Sequence, residues 1–205
     1  MKHVNNCIVF NITTTKTNLG NLPKFQTDLI EQCKANNRKA QLKLYEKYCD
    51  GMFCVVMRFL RNSDDAEDVL QESFIKAFQK INQYKGEVTF GAWLKKIVVN
   101  KSIDFLKAKR NIHVPLEENL LHVVEDDNWQ IDVGITIDEV RSVIETLSEN
   151  YKYVLMLFLI EGYDHSEIAQ ILHIPETTCR TRLMRGKSYL KEKLIKNKYE
   201  TRARS

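Results

Sequence analysis

Helix breakers are scarce in this sequence, which has three prolines and seven glycines in 205 residues. A chain so poor in both cannot be a collagen-like, Pro-rich or Gly-rich repeat, and long uninterrupted helices are free to form. Cysteine offers no scaffold either. The five cysteines (Cys7, Cys33, Cys49, Cys54 and Cys179) are odd in number, contain no C-x-x-C pair and have no histidine at zinc-finger spacing. We read them as reduced cytosolic thiols and expect no metal site and no cofactor. Long apolar runs are also missing. The longest, Tyr153 to Ile160, falls far short of the ~20 residues that span a bilayer. Residues 1–10 lack the apolar length and cleavage site of a secretory signal. No direct membrane insertion is expected, and the expected location is the cytoplasm. The net charge of +4 is too small by itself to imply a polyanionic partner.

What is present is the hydrophobic content of a globular chain, 43%, and a charge that is unevenly placed. From Leu116 to Glu139 there are eight acidic residues and no Lys or Arg. From Glu176 to Ser205, ten Lys or Arg stand against Glu176, Glu192 and Glu200, a net +7. A chain of this length holds one sizeable core or two small ones. The expected fold is all-α, with two small helical domains joined by a flexible acidic linker and the second domain a helix-turn-helix.

Residues 1–23, rich in Asn and Thr, read as a flexible arm to which we assign no function. The first domain is expected over 24–110. Apolar residues there recur at helical spacing, as in Leu29, Ile30, Cys33 and then Ala40, Leu42, Leu44, Tyr45, Tyr48. A further helix opens at Asn62-Ser63, where Ser63 can cap, with Asp64, Asp65 and Glu67 in its first turn. One face of that helix carries Ala66, Val69, Leu70, Ser73, Phe74, Ala77, Phe78 and Ile81, while Asp64, Asp68, Gln71, Glu72 and Gln79 occupy another. The loop 82–89, with Gly86, leads to a basic helix from about Phe90 to Lys109. Between Lys95 and Arg110 that helix has six Lys or Arg against Asp104 alone. Trp93, in register with Phe90, Leu94 and Ile97, is expected in the core. Residues 111–134 show no sustained period and form the linker, and the second domain covers 135–198.

Asp164 can cap a helix from Ser166 to Leu172, with Glu167 completing a capping box and Tyr163 and Ile168 placed as a hydrophobic staple. The turn His173-Ile174-Pro175 interrupts it, since Pro175 is tolerated only in the first turn of a following helix. In that next helix Cys179, Leu183, Gly186, Leu190 and Leu194 share one face. The other is expected to present Thr177, Thr178, Arg180, Thr181, Arg182, Arg185 and Lys187, donors suited to phosphates and guanine edges in a DNA major groove.

The segment YDHSEIAQILHIPETTCRTRLMRGKSYLKEKL at 163–194 resembles the carboxy-terminal promoter-binding region of bacterial extracytoplasmic-function (ECF) sigma factors. DDAEDVLQESFIKAFQKI at 64–81 and YKGEVTFGAWLKKIVVNKSIDFLKAKR at 84–110 are similar to the amino-terminal region of the same proteins. The resemblance implies a non-catalytic protein that binds core RNA polymerase, directs it to promoter DNA and helps melt the start element. It implies core-polymerase contacts at Asp64, Asp65, Asp68, Gln71 and Glu72. A pocket for a base flipped from the minus-10 element would be formed by Tyr84, Lys85, Gly86, Glu87 and Asn100, where an aromatic can stack and an amide can read a base edge. Lys95, Lys96, Lys101 and Lys107 would meet phosphates. Minus-35 contacts would fall on Thr178, Arg180, Thr181, Arg182 and Arg185. An anti-sigma partner is common in the family. Two positions depart from its pattern, His173 and Thr177, each where glycine is usual.

Two other readings remain open at this stage. An autonomous helix-turn-helix regulator would bind an operator without polymerase, although no sensor pocket or dimer interface shows in the sequence. An enzyme could use Asp64, Asp65, Glu67 and Asp68 as a metal site, although these spacings scatter around a helix and no histidine joins them.

Overall fold

The computed structural model describes residues 24–110 and 135–202, all helices and their connections. The expected arm and linker lie outside the described residues. The chain divides into two compact units, with the boundary between residues 112 and 113.

The first unit contains α1 (Lys24–Lys34), α2 (Arg38–Leu60), α3 (Ser63–Lys80), a 3-10 turn at Ile81–Gln83 and α4 (Phe90–Arg110). Short polar side chains set the helix starts. Asn37 caps α2 by accepting from the backbone N–H groups of Lys39 and Ala40 at 3.0 and 3.3 Å. Asn62, not Ser63, caps α3, because its Oδ1 reaches the Asp65 N–H at 2.9 Å while Ser63 is already the first helical residue. Helices α2, α3 and α4 pack on one another, and α1 packs on α2. Their shared core includes Leu44, Met52, Val56, Phe74, Leu94 and Ile103, each at most 3% exposed. Burial of each such side chain contributes about 1.5–3 kcal/mol. Leu42 departs from the expected apolar stripe and is 58% exposed. It lies two residues from buried Ala40 and buried Leu44, so helical geometry turns it outward.

The second unit contains α5 (Ile137–Glu145), α6 (Glu149–Leu155) extended by a π-helical turn at Met156–Ile160, α7 (His165–Leu172) and α8 (Glu176–Arg202). Capping boxes close α5, through Thr136 and Glu139, and α7, through Asp164 and Glu167. The α7 box is the one expected, although the helix starts at His165. Tyr163 and Ile168, the two ends of the expected staple, are both buried. Pro175 lies just ahead of α8, and its carbonyl accepts from the Cys179 N–H at 3.0 Å.

The longer α8 organises the unit, with α5, α6 and α7 all packing against it. Gly186 permits a close approach of α6. A Cβ there would sit 3.1 Å from Leu155 Cδ1 and 3.3 Å from Tyr151 Cβ. Lys193 bonds to the Thr146 carbonyl and hydroxyl at 3.1 and 2.9 Å, placing a cation at the C-terminus of α5 where the helix dipole favours one.

His173 ends α7 in the left-handed conformation, φ 56 and ψ 47, with its own N–H and that of Ile174 returning to the Ala169 carbonyl. An L side chain in this region costs about 1 kcal/mol, partly offset by the freedom glycine gains when unfolded. His173→Gly is therefore expected to raise the unfolding free energy by about 0.5–1 kcal/mol in urea titrations. A lowered midpoint would show that the imidazole makes a contact worth more than the strain.

Candidate nucleic-acid interface

Burial of one stripe of α8 determines what it presents outside. Cys179, Leu183, Leu190 and Leu194 are buried, as is Gly186. Thr177 and Arg180 are exposed, while Thr178, Thr181 and Arg185 are half-buried. Arg182 is 4% exposed, which corrects the expectation that it shares the free face. It stands three residues after Cys179 and four before Gly186, positions that meet on one side of a helix. That spacing was available in the sequence. Arg180 donates from Nε and Nη2 to Glu176 Oε1 at 3.2 and 2.8 Å. The pair is half exposed on both sides, and such pairs contribute roughly 0–1 kcal/mol. A phosphate or a guanine edge can therefore take the guanidinium away from Glu176. The Thr181 hydroxyl donates back to the Thr177 carbonyl at 3.0 Å.

In the first unit, the loop between the 3-10 turn and α4 is built on Tyr84. Its hydroxyl donates to the Val88 carbonyl at 2.7 Å, and its ring packs 5.5 Å from both Phe90 and Trp93. Burial pushes the phenol pKa upward. The expected stacking role of Tyr84 is corrected here, because a ring 6% exposed and held on two aromatic neighbours offers no free face to a base. Tyr84 instead shapes the loop that carries exposed Lys85 and Glu87 across Gly86, which has φ 81. Trp93 belongs to the same aromatic cluster and is half-buried. Asn100 donates from Nδ2 to the Lys96 carbonyl at 2.8 Å, which leaves Oδ1 as the acceptor of the amide.

The lysines of α4 divide. Lys95 is buried, at 6% exposure, and is not the surface phosphate contact expected of it. Lys96, Lys101 and Lys107 are half-buried. Burial lowers the Lys107 pKa, against the opposing pull of Asp104. Lys101 bonds Glu72 at 2.8 Å, and Lys109 pairs with Asp65. Each of these bridges joins a residue expected to face polymerase with one from the basic helix. Across 29 and 44 residues of sequence, no local spacing could have shown them. Asp64, Asp68 and Gln71 remain on the exposed stripe of α3. The four carboxylates considered as a metal site do not converge, since Asp65 turns to α4. Among the described residues no three His, Cys, Asp or Glu form a cation-binding group.

Comparison with known proteins covers both units. The Sigma-70 region 2 family matches residues 44–112, and the Sigma-70, region 4 family matches residues 137–190. The chain is 30% identical to the ECF RNA polymerase sigma-E factor of Haemophilus influenzae over 182 residues, covering 81% of this chain and 93% of that protein. It is 29% identical to the ECF RNA polymerase sigma factor SigW of Bacillus subtilis, covering 80% and 94%. Among solved structures, the sigma factor RpoE of Bartonella quintana, crystallised with the anti-sigma factor NepR, is 18% identical with a TM-score of 0.48, covering 85% of this chain and 98% of that one.

The tether at Tyr84 can be tested apart from any base contact. Tyr84→Phe keeps the ring and removes the bond to Val88, and is expected to destabilise the first unit by about 1 kcal/mol in urea unfolding. An unchanged stability would mean that water replaces the hydroxyl and that the loop does not depend on it.

Proposed function

The chain belongs to the ECF family of RNA polymerase sigma factors, and we propose that its two units divide promoter recognition as the order of their matched regions suggests. It is a sigma factor, and no described helix is long and apolar enough to cross a membrane. The first unit, with the domain bounds 24–110, would dock on core polymerase through α3 and hold the minus-10 element at the loop 85–87, Asn100 and Lys96. The second, 135–198, would read the minus-35 element through Thr178, Arg180, Thr181 and Arg185. The observation that carries this reading is the presence of both regions, in order, in one chain.

Physical chemistry fits each assignment. Asp64, Asp68 and Gln71 offer an anionic, hydrogen-bonding helix face to a cationic partner. The exposed guanidinium of Arg180, held by an exchangeable surface pair, suits phosphate or a bidentate guanine contact. Arg182 and Lys95 leave the proposed contact set because of their burial, and Tyr84 becomes a positioning residue. Lys101 joins the set once Glu72 releases it. Melting would follow from capture of an unstacked base, which costs a few kcal/mol that phosphate contacts can offset. We assign no bond-making step to this chain, and place it in the cytoplasm with its polymerase. The family's anti-sigma factors make such a partner an expectation here as well.

In vitro transcription with core polymerase and a promoter selected from random sequence tests the division. The wild-type chain is expected to support specific initiation. Arg180→Ala with Arg185→Ala is expected to reduce it at least tenfold, the loss of two contacts of about 1–3 kcal/mol each, while leaving core binding intact. Asp68→Ala with Gln71→Ala is expected to weaken core binding instead. Equal initiation by wild type and the arginine double variant would reject the minus-35 assignment. A chain that bound duplex DNA but formed no complex with core would be an autonomous regulator.

A further inference from the structure

The π-helical turn before α7 packs one aromatic ring against both His165 of α7 and Lys187 of α8. In that turn the Glu161 N–H returns five residues to the Met156 carbonyl and the Tyr163 N–H six to that of Leu157, both at 3.0 Å. The extra residue rotates the downstream chain relative to a regular helix. Phe158, within the turn, stacks on His165, the first residue of α7, with centroids 5.3 Å apart and an interplanar angle of 29°. Lys187 of α8 places its Nζ 5.0 Å from the centroid of the same ring. His165 Nδ1 lies 4.0 Å from Cys179 Sγ, which leaves Nε2 as the nitrogen turned away from the core of the unit.

The groups facing His165 are Asp164 from its own cap, and Glu176, Cys179, Arg180 and Lys187 from α8. Both carboxylates have other work. Asp164 accepts from the Glu167 N–H at 2.8 Å as the helix cap, and Glu176 holds Arg180. Burial lowers the His165 pKa most, and the Arg180 and Lys187 charges lower it further against Asp164 and Glu176. The imidazole is thus neutral at neutral pH in the free protein, beside two permanent cations. An arriving anion would reverse that balance and favour the imidazolium.

We propose that His165, Lys187 and Arg180 form a contact for a backbone phosphate of duplex DNA, and that His165 takes up a proton when the phosphate binds. The proposal rests on the reading of α7 and α8 as a DNA-binding pair, in which the first helix crosses the sugar-phosphate backbone. The ligand class is a phosphodiester, so the contact carries no base preference and can be measured without knowing the promoter. Within that pair, His165 supplies pH-dependent affinity, and Phe158 is the platform that positions both it and Lys187.

The test uses the full chain and a short fluorescein-labelled duplex of arbitrary sequence, with anisotropy titrations at about pH 7.5 and about pH 6. Wild type is expected to bind about threefold tighter at the lower pH, with tenfold as the limit set by a one-unit pKa rise on binding. His165→Phe, which keeps the stack on Phe158, and His165→Gln, which keeps a polar group, are both expected to lose that gain. His173→Asn, which tolerates the left-handed turn, is expected to retain it. A pH gain that survives in either His165 variant with a wild-type circular dichroism spectrum would overturn the proposal. If Arg180→Ala with Arg185→Ala bound the duplex as tightly as wild type, the underlying assignment of α8 would fail instead.

Discussion

Burial of a single stripe along α8 governs the second unit. Cys179, Leu183, Gly186, Leu190 and Leu194 lie inward, and α5, α6 and α7 are held against that stripe. Once it is inside, 3.6-residue periodicity leaves no choice about what stays outside. Arg180 is exposed and Arg182 is not, although they are two residues apart and chemically the same. The core thus selects the outward face. A surface assigned by charge alone would have kept both arginines.

The first unit obeys the same rule with an added electrostatic layer. Its core holds α2, α3 and α4 together mainly through apolar side chains. On the surface, Glu72 with Lys101 and Asp65 with Lys109 then bridge α3 and α4. These pairs are partly exposed, and exposed pairs contribute roughly 0–1 kcal/mol. That magnitude decides their role. They are too weak to hold the helices and weak enough to be exchanged for a stronger partner without unfolding either helix.

Much of this is legible in the sequence where the cause is local. The α7 capping box, the buried face of α3 and the inward stripe of α8 rest on spacings of three and four residues. The left-handed turn at His173 is readable as a departure from glycine. Distant partners are not readable. Tyr84 reads as a free aromatic because nothing in Tyr84-Lys85-Gly86 shows that Phe90 and Trp93 will close over its ring, or that its hydroxyl will tie down Val88. Lys95 sits in a basic run, and only the packing of α4 shows that it is buried. The α3 cap lies at Asn62, one residue before the expected Ser63, which is itself already helical.

Backbone irregularities account for the part of the second unit that no periodicity could reveal. The π-helical turn at Met156–Ile160 and the left-handed residues Gly162 and His173 bracket α7 on both sides. The π-helical turn and the left-handed His173 depart from regular geometry at a local cost, while Gly162 takes its positive φ without one. What they achieve together is a short helix whose first residue, His165, meets Phe158 and the flank of α8. A regular α-helical continuation of α6 would carry Phe158 to a different azimuth, since one inserted residue rotates the chain by about 100°. The stack on His165 and the approach of Lys187 to the same ring therefore depend on the irregular turn. Strain at such positions persists when surrounding structure holds it in place. Here the capping box of α7 and the buried side chains of Tyr163 and Ile168 supply that hold.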